Sequence, residues 1–153
     1  MRSQLAIALL FVAACGGDEA HKLENGQYAS TTTQIAEDNC NVAGTLGMTN
    51  NNYGRLTVTD QQVTHTGTFT SEIYMRSGNT LTRPMVSMDQ AAGGPMNNCL
   101  LTDTIQDSGS ISADDIITMT RHESHVIKSG DCTNVLRTMC MSTYTFKITR
   151  LGP

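Results

Sequence analysis

The stretch that most restricts the fold is the C-terminal run from Met139 to Leu151, where the side chains alternate in character residue by residue. Successive side chains of a β-strand point to opposite faces. The alternation therefore predicts a strand whose Tyr144, Phe146 and Ile148 face a core. The run from Ile116 to Lys128 is the longest regular stretch of the same kind. No part of the sequence has the period of an amphipathic helix, so we predict an all-β protein.

Threonine supports this prediction, because the chain has 22 threonines against three phenylalanines and no tryptophan. Thr is β-branched and favours strands. Ser77-Gly78-Asn79 is a typical short hairpin loop, and Pro84 marks its strand as an edge or bulged one. Asp107-Ser108-Gly109-Ser110 is predicted as a turn. The strands are predicted at residues 26–36, 55–60, 63–69, 71–76, 80–88, 100–106, 116–128 and 139–151, with a further short element from Ile111.

Roughly eight or nine antiparallel strands at this spacing are typical of a barrel or, as the second choice, a two-sheet β-sandwich. The opening Gly26-Gln27-Tyr28, the successive hairpins and the aromatic closing strand look like small calycin barrels such as the lipocalins. Lipocalins usually carry Gly-x-Trp where this chain has Gly-x-Tyr. The resemblance implies a single closed or nearly closed barrel.

The N-terminus predicts export. Arg2 precedes an apolar run, Leu5 to Val12, that is far shorter than the roughly 20 residues of a membrane-spanning helix but fits a signal peptide. Val12-Ala13-Ala14-Cys15 resembles the lipobox of bacterial lipoproteins, in which the cysteine receives a diacylglycerol and becomes the new N-terminus. Gly16-Gly17-Asp18-Glu19 looks like the tether of lipoproteins from myxobacteria and related Gram-negative bacteria. The alternative is a plain secretory signal.

The lipoprotein resemblance implies a division of the chain into three parts: a signal peptide at residues 1–14, a lipidated Cys15 with a flexible tether at 15–25, and one β-domain at 26–153. Two or more acyl chains, such as palmitate, give stable attachment to a membrane. Gly16 is not the Asp that resembles an inner-membrane retention signal. We therefore expect the protein at the outer membrane, on its periplasmic or its surface face.

Four cysteines remain when Cys15 is set aside, and an even number in an exported domain predicts two disulfides. Three pairings are possible. We predict Cys132–Cys140, which bracket a short loop, and Cys40–Cys99, which both lie in Asn-rich turn stretches. A zinc site has little support, since the chain has no Cys-x-x-Cys pair.

His122-Glu123-Ser124-His125 is the clearest candidate for metal binding. Zinc sites on helices use histidines one turn apart, whereas these two, three residues apart on a strand, point to opposite faces. A site would need other ligands such as His65.

Met85-x-x-Met88 and Met139-Cys140-Met141 suggest copper(I), because thioethers are soft ligands, but Met also fills gaps in cores poor in aromatic residues. We expect solvated strand positions here and predict no metal or cofactor.

The sequence favours no reaction. It has no Gly-x-Ser-x-Gly elbow, and Asp103, Asp107, Asp114 and Asp115 lack the spacing of a calcium loop. The net charge is −4, or −5 once residues 1–14 and their Arg2 are removed, and no basic cluster indicates a nucleic-acid partner.

We therefore expect a non-catalytic cell-envelope lipoprotein, anchored in the membrane by its lipid, that binds a small apolar ligand or another envelope protein. The alternative is a periplasmic copper- or zinc-handling protein that uses His65, His122 and His125.

Overall fold

A computed structural model describes residues 20–41, 52–67, 71–92, 98–133 and 139–152, and these residues form eight β-strands. Each strand pairs antiparallel with the next, and β8 returns to pair with β1, so the sheet closes into a barrel. The antiparallel barrel is thereby confirmed over the sandwich. The strands are β1 (Gly26–Asp38), β2 (Asn52–Val58), β3 (Gln62–Gly67), β4 (Ser71–Ser77), β5 (Thr80–Ala92), β6 (Cys99–Ala113), β7 (Ile116–Ser129) and β8 (Cys140–Gly152).

The predicted turn at residues 107–110 is wrong, because these residues lie inside β6. Asp107 is buried and pairs across the ladder with Arg121. Gly109 allows β7 to approach closely, since a Cβ there would collide with the carbonyl oxygen of Thr118. These residues thus continue the strand, with Asp107 and Gly109 on its inner face, and do not reverse the chain.

Two other local predictions are confirmed. Gly78 has a positive φ of 59° in the hairpin between β4 and β5, a conformation that Gly adopts without steric cost. The β5–β6 register shifts between Arg83 and Val86, which places a bulge at Pro84. Proline lacks the N–H that a regular ladder needs, so a bulge accommodates it.

The barrel is paired unevenly along its axis. At the end where β2, β4, β6 and β8 finish, every strand has two neighbours, and we call this the closed end. β4 and β5 share only three registered pairs, which run from Ser77–Thr80 at the closed end to Met75–Thr82. Beyond these pairs β5, β6, β7, β8 and β1 continue together as one curved sheet.

The apolar core fills the closed end. The alternating residues of each strand supply it, as the β8 pattern of Tyr144, Phe146 and Ile148 predicts. Burial of such side chains is the main stabilising contribution to a fold of this size. The largest apolar members with no more than 2% exposure are Tyr28, Tyr74, Leu56, Leu81, Ile111, Ile117, Met119, Ile148 and Val63.

The N-terminal segment covers the closed end. Leu23 is buried in the core cluster. The backbone N–H of Lys22 donates to Asp114 Oδ1, and that of Glu24 donates to Asp115 Oδ1, both at 2.9 Å. Residues 21–25, the last part of the predicted tether, therefore pack on the barrel. Residues 1–19, including Cys15, lie outside the described part of the chain.

Both disulfides lie at the opposite end, which we call the disulfide end. The predicted pairing is wrong, because the bridges join Cys40 to Cys140 and Cys99 to Cys132. The strand register explains the pairing. β1 and β8 are neighbours and bring Asp38 opposite Ser142, next to the first bridge, while β6 and β7 bring Leu100 opposite Ser129, next to the second.

Candidate functional site

Four charged side chains lie inside the barrel directly above the apolar core, and we call them the charged layer: Glu72, Arg83, Asp107 and Arg121. They come from β4, β5, β6 and β7, one from each strand. Each occupies an inward position in the alternation, as Arg121 does two residues after the buried Met119. The layer therefore takes the place that apolar side chains would fill in a continuous core.

Arg121 and Asp107 form the centre of the charged layer. Arg121 Nε donates to Asp107 Oδ1 at 2.7 Å and its Nη2 donates to Oδ2 at 2.8 Å, a two-pronged geometry that orients both groups. The same Nη2 donates to Glu72 Oε1 at 2.5 Å. The guanidinium also lies over the Phe146 ring, 5.3 Å from its centroid, where a cation–π attraction adds to the contacts.

Arg83 and Glu72 connect two strands that have ceased to pair. The last registered pair between β4 and β5 on this side is Met75–Thr82, and Arg83 is the next residue of β5. Its Nη1 donates to Glu72 Oε1 at 2.9 Å and approaches Asp107 Oδ2 at 3.5 Å. A side-chain ion pair thus spans the point where the backbone ladder ends.

The electrostatics of the layer favour its charged form. Burial alone would raise the pKa of Glu72, but its interaction with His65, the charge of Arg121 and the hydrogen bond from Tyr74 outweigh burial and hold that pKa well below its ordinary value of 4.5. Burial would lower the pKa of Arg121, and Asp107 and Glu72 raise it instead. Burial, followed by the charge of Glu72, raises the pKa of Tyr74.

The charged layer keeps partial contact with solvent. The side chain of Asp107 is fully buried, whereas those of Glu72, Arg83 and Arg121 keep 15%, 12% and 14% of their exposure. The core side chains on the closed-end side, such as Leu81, are completely covered. The layer is therefore partly accessible, and we call the polar part of the barrel interior between it and the disulfide end the polar chamber.

His125 forms a second polar group in the chamber. Its Nδ1 lies 2.5 Å from Asp103 Oδ1 and its Nε2 lies 2.9 Å from Glu123 Oε1. Tyr144 Oη donates to the other Glu123 oxygen at 3.3 Å. Burial, opposed by the charge of Arg121 and aided by that of Glu123, raises the pKa of Tyr144 to about 12. A buried imidazole is thus held between two carboxylates.

The three candidate histidines do not form one site. His65 and His125 point into the barrel and are buried, whereas His122 lies on the outer face with its Nδ1 3.0 Å from Thr143 Oγ1. The prediction that His122 and His125 face opposite ways is confirmed, and the prediction that His125 is solvated is wrong. His65 Nδ1 is 3.9 Å from Glu72 Oε2, too far for a hydrogen bond. Its buried Nε2 has no hydrogen-bond partner among the described residues.

His125 also lies beside a disulfide. One ring nitrogen of His125 and the sulfurs of Cys40 and Cys140 are all within 4.8 Å of one another. In the disulfide form the sulfurs are bonded to each other and are not thiolates, which are the form that binds metals. The cluster therefore has no thiolate ligands in this state.

On the outer face of the barrel, a groove of about 310 Å³ brings together two of the predicted methionines and one histidine. Met85 and Met141 line the groove with His122, and both methionines are more than half exposed. Met85 reaches the outer face because it lies in the β5 bulge, opposite Gln106. Two thioethers and an imidazole thus share one solvent-accessible surface.

Sequence reasoning did not single out Glu72, Arg83 or Arg121 as site residues. A signal was present on β7, where Arg121 alternates in step with Ile117 and Met119. On a strand this spacing puts a charge on the same face as the core.

The described residues include no helix that could span a membrane. Comparisons of the chain with known protein families, with curated proteins and with solved structures gave no match.

Proposed function

We propose that the protein is an exported, non-catalytic binding module of the bacterial cell envelope, attached to the outer membrane through Cys15, and that its polar chamber holds a small cationic ligand. The observation that carries the proposal is the charged layer, which gives the barrel a polar, partly accessible floor. Binding sites in barrels commonly lie inside, at the end that is not filled by the core.

The charge of the chamber favours a cation. Its acidic groups outnumber its arginines by two, since four carboxylates face two guanidiniums. A ligand with an ammonium group would be attracted to this excess. The small apolar ligand expected from the lipocalin resemblance fits less well, because it would desolvate charged groups without pairing them. The groups counted are Glu72, Asp103, Asp107, Glu123, Arg83 and Arg121.

The test combines native mass spectrometry with thermal shifts. Protein purified from envelope fractions is examined for a co-purifying small molecule, and the ligand-free protein is then mixed with spermidine, choline or laurate. We expect the two cations to raise Tm and laurate to leave it unchanged. Glu123→Gln should abolish the shift, because it removes one chamber charge, while Glu37→Gln, at an exposed position of β1, should behave as the unaltered protein. Stabilisation by laurate alone, or equal shifts in both variants, would contradict the proposal.

A second candidate function is copper handling, which the outer groove favours. Met85, Met141 and His122 supply soft and imidazole ligands of the kind that copper(I) prefers. Competition titration with copper(I) tests this function. His122→Ala should weaken binding strongly, and His21→Ala, at the closed end, should not. Equal affinity of the two variants would rule the groove out as the copper site.

A further inference from the structure

We propose that the Cys40–Cys140 disulfide can be reduced and that the reduced chain binds one zinc ion through Cys40, Cys140 and His125. This site is separate from the chamber's ligand and from the outer groove. It would make metal binding depend on the redox state of the protein. The three residues are all buried at the disulfide end.

The strand register brings the three residues together. His125 on β7 is the direct cross-strand partner of Cys140 on β8, and both point inward. Cys40 follows β1, which is the other neighbour of β8. Two sulfurs and one ring nitrogen lie within 4.8 Å of one another. Tetrahedral zinc with bonds of about 2.0–2.3 Å holds its ligand atoms roughly 3.5–4 Å apart. Reduction must therefore let the two bonded sulfurs move apart, while the ring nitrogen is already within 4.8 Å of both.

The two carboxylates on His125 complete the arrangement. Asp103 and Glu123 each contact one ring nitrogen. When zinc takes one nitrogen, the carboxylate on the other nitrogen still orients the ring, as in the carboxylate–histidine–zinc arrangement of known sites. The displaced carboxylate then lies beside the metal and can serve as the fourth ligand. A structural zinc site with two thiolates, an imidazole and a carboxylate is thus available from Cys40, Cys140, His125 and one of the two carboxylates that contact His125.

The chemistry balances with a dithiol as the reductant. Thiol–disulfide exchange transfers two electrons and two protons to the bridge, which leaves two thiols on this chain and a disulfide on the reductant. Zinc binding then displaces both thiol protons, together with any proton on the coordinating ring nitrogen. The zinc ion replaces the cross-link that reduction removes, because it again joins the end of β1 to the start of β8.

The second disulfide gives an internal control. Within the described ranges, no similar group of His, Cys and acidic side chains includes Cys99 or Cys132. Reduction of that bridge should therefore create no comparable site, although both bridges lie at the same end of the barrel.

The experiment compares two double variants of the full chain, Cys99→Ser/Cys132→Ser and Cys40→Ser/Cys140→Ser, each also carrying Cys15→Ser so that this sulfur cannot bind metal. Both are treated with a phosphine reductant, and zinc stoichiometry is measured by native mass spectrometry. Cobalt(II) serves as a spectroscopic probe, because thiolate ligation gives a charge-transfer band. Far-UV circular dichroism reports the barrel in every sample.

We expect the first variant to bind one zinc only after reduction, to show the thiolate–cobalt band and to gain thermal stability from zinc. The second variant should show none of these changes. His125→Gln in the first variant should weaken zinc binding by at least about 10-fold. Equal binding before and after reduction, unchanged affinity in His125→Gln, or a barrel that is lost on reduction and not restored by zinc would each overturn the proposal.

Discussion

Arg121 on β7 and Asp107 on β6 are direct cross-strand partners, and the guanidinium donates a hydrogen bond to each oxygen of a fully buried carboxylate. Removing one partner from a buried pair leaves the other charge uncompensated, which costs more than the pair itself contributes.

We expect Asp107→Asn to lower the free energy of unfolding by about 3–5 kcal/mol. The double variant Asp107→Leu/Arg121→Met should lose less stability than Asp107→Asn, because no unpaired charge of this pair remains in the barrel. Urea denaturation of both variants measures the difference. If the single substitution cost less than the double one, the pair would not be the centre of the layer.

Glu72 should make stability depend on acid pH. Its pKa is held below 4.5 in the folded barrel by His65, Arg121 and Tyr74 against the opposing effect of burial. Below pH about 4.5 the unfolded chain binds a proton that the folded chain does not, so stability falls as pH drops, by at most about 1.4 kcal/mol per pH unit for one proton.

Glu72→Gln should flatten this part of the stability profile between pH 6 and pH 3, whatever its effect at neutral pH. Glu37→Gln, on the exposed part of β1, is the matched control. Parallel profiles for the Glu72 variant and the unaltered protein would show that the partners of Glu72 do not lower the pKa of its carboxylate.

Gly54 should resist substitution by Ala. A Cβ at this position would overlap the imidazole of His65 and the carbonyl oxygen of Thr66, and both belong to the neighbouring strand β3. Overpacking of this kind costs about 1–3 kcal/mol. The control is Gly152→Ala, where the added Cβ would meet no atom of the described residues within 4 Å. Chemical denaturation should give a lower free energy of unfolding for Gly54→Ala than for Gly152→Ala.

Leu23 should contribute to the stability of the barrel although it precedes the first strand. It is 8% exposed and packs in the core, so Leu23→Ala should cost about 2–5 kcal/mol. Leu151→Ala, at a position that is 58% exposed, is the control and should change little. An unchanged free energy of unfolding in Leu23→Ala would show that this segment does not stabilise the barrel.

Cys15 is expected to carry the lipid. Cys15→Ala should leave the protein unprocessed or soluble and should prevent incorporation of labelled palmitate, because no thiol remains for acylation. Gly17→Ala preserves Val12-Ala13-Ala14-Cys15 and is the control. Unchanged membrane fractionation of the Cys15 variant would count against lipidation.

The alternation of β8 was enough to predict its inward face, because successive side chains of a strand point to opposite faces and the apolar ones mark the inner face. The charged layer could not be predicted in the same way. Arg121 and Glu72 are 49 residues apart and meet only because strand order and register bring β4 and β7 to the same depth of the barrel. Charged side chains are mostly exposed in proteins, so the residue types alone do not place either of them in the interior.

The prediction of the disulfide pairing failed for a related reason. Closeness in sequence suggested Cys132–Cys140, but their positions are decided by which strands are neighbours and by how far each ladder extends. Cys40 and Cys140 are 100 residues apart and are joined because the first strand pairs with the last. Closure of the barrel is a property of the whole chain, so the residues around a cysteine cannot predict it.

The N-terminal segment determines which way the molecule would point. The chain reaches the barrel at its closed end, where Leu23 is inserted. An anchor at Cys15 would be five Cα-to-Cα steps from Ala20, which span at most roughly 18 Å. The closed end would then stand next to the bilayer, and the disulfide end, with the chamber and the redox-sensitive cysteines, would face away from the lipid into the aqueous compartment.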